Sequence, residues 1–214
     1  MKLIVGLGNP GDIYAHSRHN IGFLVIKALS NIYKAPLKRE RGTFSLSARI
    51  KIDNQVVIIA MPLTFMNLSG NAVEALLKKH RIGLENLLMV LDDLDLDLAR
   101  IKLRPSGSSA GHRGLESIID SVDSSLFSRL RIGIGRSPRG VEASEYVLLP
   151  FSRKEKAQVK QAIEKATECC SAWVTKGVAE TMNIFNKSAS KALRTSTRSI
   201  LSERSESKEM RRDE

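Results

Sequence analysis

The sequence predicts an α/β fold: a single domain with a twisted mixed β-sheet and helices on both faces. Short apolar runs rich in β-branched residues alternate with helical patterns, which is typical of strands connected by helices. Two consecutive strand patterns meet at the turn Asp53-Asn54, so at least one strand pair is a hairpin and the sheet is mixed. Apolar residues make up 42% of the 214 residues, which is enough for a substantial core.

The N-terminal half contains three strand patterns and two helical ones. Lys2–Gly6 is a short apolar run that predicts a buried strand, and residues 21–32 carry apolar side chains at the spacing of an amphipathic helix. Residues 44–52 alternate between apolar and polar positions, which predicts a strand with one buried face. A continuous apolar run at 56–61 predicts the next strand, and residues 68–80 are predicted to be helical.

In the C-terminal half, strands are predicted at 87–91, 99–104 and 129–133. Helices are predicted at 114–122, 153–176 and 178–186. The leucines at 94, 96 and 98 alternate with acidic residues and are predicted to continue a strand. A folded domain is therefore expected to span residues 1–187. Residues 188–214 are rich in Ser, Arg, Lys and Glu, which predicts a disordered tail.

Charge indicates a polyanionic partner. Lys and Arg number 34 against 23 Asp and Glu, and residues 188–214 hold seven basic and five acidic residues, so most of the excess belongs to the folded part. A basic folded domain favours binding to nucleic acid.

The sequence also indicates where the chain acts. No apolar run approaches the roughly 20 residues of a membrane span, and the N-terminus lacks the pattern of a signal peptide, so a cytoplasmic protein with no membrane partner is expected. Cys169 and Cys170 are adjacent, which makes a bridge between them unfavourable, and free thiols are predicted.

Polar residues follow three of the predicted strands. Asn9 and His19 follow the first strand, Asn67 follows the run at 56–61, and Asp92 follows the run at 87–91. Since ligand sites of open α/β sheets form beyond the carboxyl ends of strands, these side chains are candidates for one crevice. The histidine can take a proton from water, the aspartate can hold its other ring nitrogen, and an amide can stabilise an oxyanion. No Ser or Cys elbow is recognisable, so direct attack by water is expected, without a covalent intermediate.

Two ligand-binding motifs fit poorly. Gly6 to Gly11 formally matches a dinucleotide fingerprint, but Pro10 removes a backbone donor and no acidic residue follows at the required distance, which disfavours a nucleotide-dependent oxidoreductase. A calcium loop beginning at Asp93 would place Leu98 where glycine is needed and Arg104 where the bidentate glutamate belongs. Neither a metal nor a cofactor is predicted.

Two other histidines receive separate interpretations. His80 ends a predicted helix beside two lysines and is expected to face solvent. His112 lies in a Gly-rich loop, where the sequence leaves open a structural contact or a contact with substrate.

Several motifs resemble the bacterial-type peptidyl-tRNA hydrolases in order and spacing. They are LIVGLGNPGDIYAHSRHNIGF (3–23), PLTFMNLSG (62–70), LDDLDL (91–96), GSSAGHRGLESII (107–119) and RLRIGIG (129–135). The resemblance covers about residues 1 to 187. It implies hydrolysis of the ester bond between a peptide and the 3′ ribose of tRNA by a monomeric enzyme that needs no cofactor.

The resemblance also implies functions for individual residues. His19 matches the histidine expected to act as general base, and Asp92 matches the carboxylate that orients it. Asn9, Tyr14 and Asn67 match substrate-binding positions.

Further matches concern the tRNA end of the substrate. Arg104 and Arg131 match basic residues that clamp its 5′ phosphate. Arg113 belongs to the substrate-binding set but departs from the asparagine found in many relatives, which puts a water-positioning function of this position in question.

The alternative that remains is an RNA-binding paralogue of the intron-splicing-factor type. Such a protein would keep the fold and bind RNA, but hydrolysis would not be its function.

Overall fold

Four parallel strands form the centre of the sheet in the computed structural model, which describes residues 1–187. They are β1 (Lys2–Gly6), β4 (Gln55–Pro62), β5 (Leu87–Asp93) and β7 (Ser128–Gly133). On one side, β3 (Ser45–Ile52) runs antiparallel to β4, and β2 (Lys38–Glu40) pairs with β3. On the other side, β6 (Ile101–Arg104) runs antiparallel to β7. The order across the seven-stranded sheet is β2-β3-β4-β1-β5-β7-β6.

Helices cover both faces of this sheet. One face packs against α1 (Ile21–Ile32) and α5 (Lys156–Phe185), and the other packs against α2 (Ser69–His80) and α3 (Arg113–Val122). A short helix, α4 (Ala143–Tyr146), lies between β7 and α5. The predicted fold class, a mixed sheet with helices on both faces, is therefore confirmed.

Side-chain alternation along the central strands supplies two separate cores. In β1, Ile4 belongs to the core under α1 and α5, whereas Leu3 and Val5 belong to the core under α2 and α3. All seven residues of β5 are buried, as expected for a central strand covered on both faces. Each such aliphatic side chain contributes about 1.5–3 kcal/mol when it leaves water, so this strand is firmly fixed.

The final helical segment contains the break that the sequence predicts. Gly177 has φ 77° and ψ 174°, so it interrupts α5 and separates the two helices predicted at 153–176 and 178–186. Positive φ favours glycine at this position because it has no Cβ to clash with the backbone. Cys169 and Cys170 are buried in α5 as free thiols, as predicted.

Two predictions about strand boundaries are wrong. Phe44 is 64% exposed with φ 48°, so it precedes β3 rather than starting its buried face. The leucines at 94, 96 and 98 do not continue a strand, because β5 ends at Asp93 and the chain turns there. The patterns also gave no sign of β2 or α4, which are too short to show a periodicity.

His80 does not face solvent as expected. Its side chain is 13% exposed, and its Nε2 atom lies 2.8 Å from the Oε1 atom of Glu40. The cause is the unpredicted strand β2, which brings Glu40 against the C-terminal end of α2.

None of the helices within residues 1–187 is both long enough and apolar enough to cross a bilayer. The predicted tail at 188–214 lies outside the described residues.

A close backbone approach at the start of α1 gives a stability prediction. A Cβ atom on Gly22 would overlap the carbonyl oxygen of Val90 and lie 2.6 Å from that of Leu7. Because both are main-chain atoms of the packed sheet, we expect Gly22→Ala to lower the free energy of unfolding in urea by about 1–3 kcal/mol.

The matched control is Gly83→Ala. The nearest atoms to a Cβ there belong to the flexible carboxylate of Glu85, which can move, so a change within about 0.5 kcal/mol is expected. If Gly22→Ala were as stable as the wild type, the close packing of α1 on β1 and β5 would be contradicted.

Candidate active site

The carboxyl ends of β4, β1 and β5 meet at one edge of the sheet, and the loops that follow them border a cleft of about 1000 Å³. All eight residues proposed from the sequence line this cleft: Asn9, Tyr14, His19, Asn67, Asp92, Arg104, Arg113 and Arg131. The topology explains the convergence, because adjacent parallel strands deliver their following loops to the same edge.

Asp92 is the buried centre of the cleft. It lies near the end of β5, where the strand is covered on both sides, and is 3% exposed. Its Oδ1 atom is 2.8 Å from Nδ1 of His19 and 3.1 Å from Nε2 of His112. One carboxylate oxygen therefore holds two imidazoles, whose ring centroids are 4.9 Å apart.

His112 has its tautomer fixed by a backbone donor. It is the N-cap of α3, and its Nδ1 atom accepts the N–H of Leu115 at 3.2 Å. Since that nitrogen is an acceptor, the proton of the neutral ring sits on Nε2 and is donated to Asp92. The sequence left a structural and a substrate contact open for His112. The structure makes it a second partner of the central carboxylate.

The hydrogen bond to Asp92 fixes the tautomer of His19. An ionised carboxylate only accepts hydrogen bonds, so Nδ1 of His19 donates its proton to Asp92. In the neutral ring, Nε2 then carries the lone pair. His19 lies in the turn Arg18–Asn20 just before α1, and its side chain is 13% exposed. It is therefore arranged to accept a proton at Nε2 from a molecule in the cleft.

Opposing effects set the pKa of Asp92. Burial of the carboxylate by itself raises its pKa. Electrostatic attraction and hydrogen bonds from His19 and His112 outweigh burial and leave the pKa of Asp92 well below its usual value. Asp92 is therefore an anion at neutral pH, as its function as an acceptor requires.

The three polar groups could also be considered as metal ligands, because their donor atoms all lie within 4.8 Å of one another. The bond from Leu115 places the proton of His112 on the very nitrogen that would have to ligate. A metal bound by this nitrogen would have to displace that proton. The geometry therefore favours a hydrogen-bonded cluster over a metal centre.

Asn9 is fixed on three sides. Its Oδ1 accepts the N–H of Met66 at 2.8 Å, its N–H donates to Oδ1 of Asn20 at 2.8 Å, and its carbonyl accepts from Nδ2 of Asn20 at 2.9 Å. Among residues 1–187, no acceptor pairs with the amide nitrogen of Asn9, so this donor is available to a ligand. Asn20 was not proposed from the sequence, although it is part of the same RHN motif.

Tyr14 and Asn67 occupy the rim. Tyr14 is half-buried in the turn Asp12–Tyr14, and Asn67 is exposed in the turn Met66–Leu68 that follows β4. Neither has a side-chain hydrogen bond within the part of the chain that the structure describes. Both can contact a ligand without losing an existing partner.

Basic residues line the β6–β7 side of the cleft. Arg104 is exposed at the end of β6, and Arg131 in β7 forms an ion pair with Asp93. Lys102 faces Arg131 across the strand pair and was missed from the sequence, although it alternates with Arg104 along β6. Repulsion from Arg104 is the largest effect that lowers the pKa of Lys102, followed by burial and two other arginines. The local field is therefore strongly positive.

A second basic residue missed from the sequence, Arg129, supports the loop along this side. Arg129 is 2% exposed and donates to the carbonyls of Gly107 at 2.7 Å, Ser108 at 3.1 Å and Ser125 at 2.8 Å. Burial, and then repulsion from Arg131, lowers its pKa to about 10. It holds the Gly-rich loop that leads to His112. No sequence pattern indicates this function, since arginine is seldom buried.

Arg113, the residue that departs from the common asparagine, is exposed as the first residue of α3 and lines the cleft. A cation is unfavourable at a helix N-terminus because the helix dipole is positive there. Helix stability therefore does not explain Arg113.

Comparisons with known proteins identify a family with which the chain shares sequence and fold. The family model described as peptidyl-tRNA hydrolase matches residues 3–193. A protein of that name from Syntrophomonas wolfei is 43% identical over 186 residues, which cover 87% of this chain and 100% of that protein. The corresponding protein of Bacillus pumilus is also 43% identical, with 87% and 99% covered.

A solved structure agrees in fold. The crystal structure of peptidyl-tRNA hydrolase from Acinetobacter baumannii has a TM-score of 0.82 at 35% identity, covering 87% of this chain and 94% of that one. The residues matched by the family model include all those that line the cleft, and the relatives and the solved structure each cover 87% of the chain. The chain therefore belongs to the peptidyl-tRNA hydrolase family.

Proposed function

We propose that the chain hydrolyses the ester bond between the peptide and the 3′ ribose of peptidyl-tRNA, releasing peptide and free tRNA. His19 accepts a proton from water at Nε2, and the resulting hydroxide attacks the ester carbonyl carbon. The tetrahedral intermediate then collapses as its bond to the ribose 3′ oxygen breaks, and that oxygen takes the proton back from Nε2 of His19, which regenerates the neutral imidazole. Family membership supports the reaction, and the cleft supports the assignment of residues.

One observation supports the mechanism most strongly: the pairing of Nδ1 of His19 with Oδ1 of Asp92 at 2.8 Å. It leaves the base nitrogen of a neutral imidazole for water, and the carboxylate stabilises the imidazolium that forms. The free amide N–H of Asn9 is a suitable donor for the developing oxyanion. His112 does not act as a base here, because its lone pair accepts the N–H of Leu115.

The remaining side chains serve substrate binding. Tyr14 and Asn67 contact the peptide and the terminal ribose at the rim of the cleft. Arg104 and Arg131 clamp the 5′ phosphate, with Lys102 adding to the positive field. Arg113 contributes a cation beside the substrate in place of a neutral amide.

We further propose that the chain works as a monomer in the cytoplasm, where translation produces peptidyl-tRNA. The eight residues line a single cleft, so one chain supplies every group of the proposed mechanism. This supports a monomer.

Hydrolysis is tested with a tRNA that carries one N-blocked amino acid. The wild type is expected to release the amino acid, and His19→Ala is expected to lower kcat by about 10²–10⁴ because the general base is lost. The measurement is the rate of release at saturating substrate. His16→Ala is the matched control, because His16 is an exposed histidine three residues away that does not line the cleft, and it should keep the wild-type rate.

The outcomes separate enzyme from binding protein. Equal release by wild type and His19→Ala would contradict the mechanism. A wild type that binds the tRNA and releases nothing would contradict hydrolysis and favour the RNA-binding paralogue.

Binding of tRNA is expected to weaken with salt, because counterions are released when phosphates are neutralised. Arg104→Ala and Arg131→Ala should each reduce the slope of log K against log salt by about one. Arg39→Ala removes the same charge from β2 at the opposite edge of the sheet and serves as control with an unchanged slope. If Arg39→Ala and Arg104→Ala reduced the slope equally, a local phosphate clamp would be contradicted.

A further inference from the structure

Arg18 carries a buried guanidinium beside the candidate active site, and the proposed mechanism does not use it. Its side chain is 7% exposed. Its two terminal nitrogens each donate to one carboxylate oxygen of Glu155 at 2.9 Å, and Nη1 also reaches the carbonyl of Ile134 at 3.3 Å. The guanidinium carbon lies 4.4 Å from the ring centroid of Tyr146 and 4.8 Å from that of Phe151. Such an arrangement requires arginine, because lysine is neither planar nor bidentate.

The partners of Arg18 belong to one wall of the cleft or adjoin it. We call residues 142–151 the wall segment; it contains Tyr146 and Phe151, and its members Val147 and Leu148 line the cleft. The hydroxyl of Tyr146 donates to the same carbonyl of Ile134 at 3.0 Å. Arg18 therefore connects the turn that carries the candidate base to the wall that borders the substrate.

Backbone hydrogen bonds run alongside this connection. The N–H of Arg18 donates to the carbonyl of Leu149 at 3.0 Å, and the N–H of His19 donates to that of Val147 at 2.8 Å. Ser17 forms an antiparallel bridge with Pro150. The main chain at 17–19 is thus paired with the wall segment, and the position of His19 depends on the position of the wall.

We propose that Arg18 is a positioning residue: by clamping Glu155, Tyr146 and Phe151, it keeps the wall segment paired with the His19 turn and so sets the His19 imidazole against Asp92. The proposal rests on the proposed hydrolysis. Without the guanidinium, the wall segment keeps its backbone bonds to residues 17–19 and the core packing of Tyr146 and Phe151, but it loses the side-chain connection to the His19 turn. The imidazole is then free to leave the geometry in which Nδ1 bonds to Asp92, and a displacement of about 1 Å can cost about 10²-fold in rate.

The lowered pKa of Glu155 keeps its carboxylate ionised and so supports a permanent ion pair with Arg18. Burial raises its pKa, but hydrogen bonds from Arg18 and Ser152 and the charge of Arg18 outweigh burial and lower it to about 2. The ion pair is therefore present at every pH at which a histidine base can work. Its contribution to stability exists above the unfolded pKa of about 4.3 and is lost only as the pH falls toward 2.

The experiment compares Arg18→Ala, Arg18→Lys and Glu155→Gln in the peptidyl-tRNA assay. We expect kcat per folded molecule to fall about 100-fold for Arg18→Ala and about tenfold for the two conservative variants. KM and the affinity for uncharged tRNA should stay within about threefold, because the phosphate-binding side of the cleft is untouched. Added guanidinium ion should restore part of kcat in Arg18→Ala.

Leu76→Ala is the control for a merely structural function. Leu76 is fully buried in the core under α2 and α3, so its truncation destabilises by about 2–5 kcal/mol without contacting the His19 turn. It should keep the wild-type kcat per folded molecule and show no response to guanidinium. A readout independent of activity is hydrogen exchange of the His19 amide, which should accelerate in Arg18→Ala and slow again with guanidinium.

The outcomes distinguish this inference from the function on which it rests. No release by the wild type would contradict hydrolysis itself. Release by the wild type with an unchanged kcat in folded Arg18→Ala would overturn only the positioning function. If Arg18→Ala does not fold, Arg18→Lys and Glu155→Gln decide: the expected loss supports the proposal, and wild-type kcat in both overturns it.

Discussion

The carboxylate of Asp92 is the group on which the rest of the site depends. It is an ion buried in the central strand of the sheet, and removing an ion from water costs several kcal/mol unless hydrogen bonds compensate. The compensation comes from His19 and His112, which share its Oδ1 atom. The interaction therefore acts in both directions: the imidazoles keep Asp92 ionised, and Asp92 keeps both imidazoles oriented.

The three consecutive residues of the RHN turn each contact a different part of the fold. Arg18 pairs with Glu155, close to the start of α5, His19 pairs with Asp92 in β5, and Asn20 pairs with the backbone of Asn9 after β1. A turn of three residues has little stability of its own, so these contacts define its position. This arrangement gives a candidate catalytic side chain the rigidity of the sheet, although it lies on a loop.

The sequence predicted the fold class and the convergence of the site because both follow from the order of long apolar elements. Once β4, β1 and β5 are adjacent and parallel, Asn67, Asn9 and Asp92 must lie at or just beyond their carboxyl ends, at one edge of the sheet. Short elements escaped prediction, since the three charged residues of β2 are held only by cross-strand pairing with β3. Because β2 was not predicted, Glu40 was not expected beside His80, and this explains the wrong prediction that His80 faces solvent.

The supporting residues of the site were harder to predict than its reactive ones. Arg18 and Arg129 are buried, whereas arginine is usually exposed, so no pattern distinguished them from surface charges. His112 lies in a Gly-rich loop, and its direction depends on the N–H of Leu115 and on Asp92, which are contacts that only the folded chain creates. The unusual Arg113 was noticed only through the family resemblance.

The central claim is that one ionised carboxylate fixes both histidines in opposite tautomers. Long-range ¹H–¹⁵N NMR spectra of the imidazoles in the substrate-free protein at neutral pH test it directly. The predicted result is a proton on Nδ1 in His19 and on Nε2 in His112, with both signals altered in Asp92→Asn. A proton on Nε2 of His19 in the wild type would contradict the account, because the nitrogen assigned to accept a proton from water would already carry one.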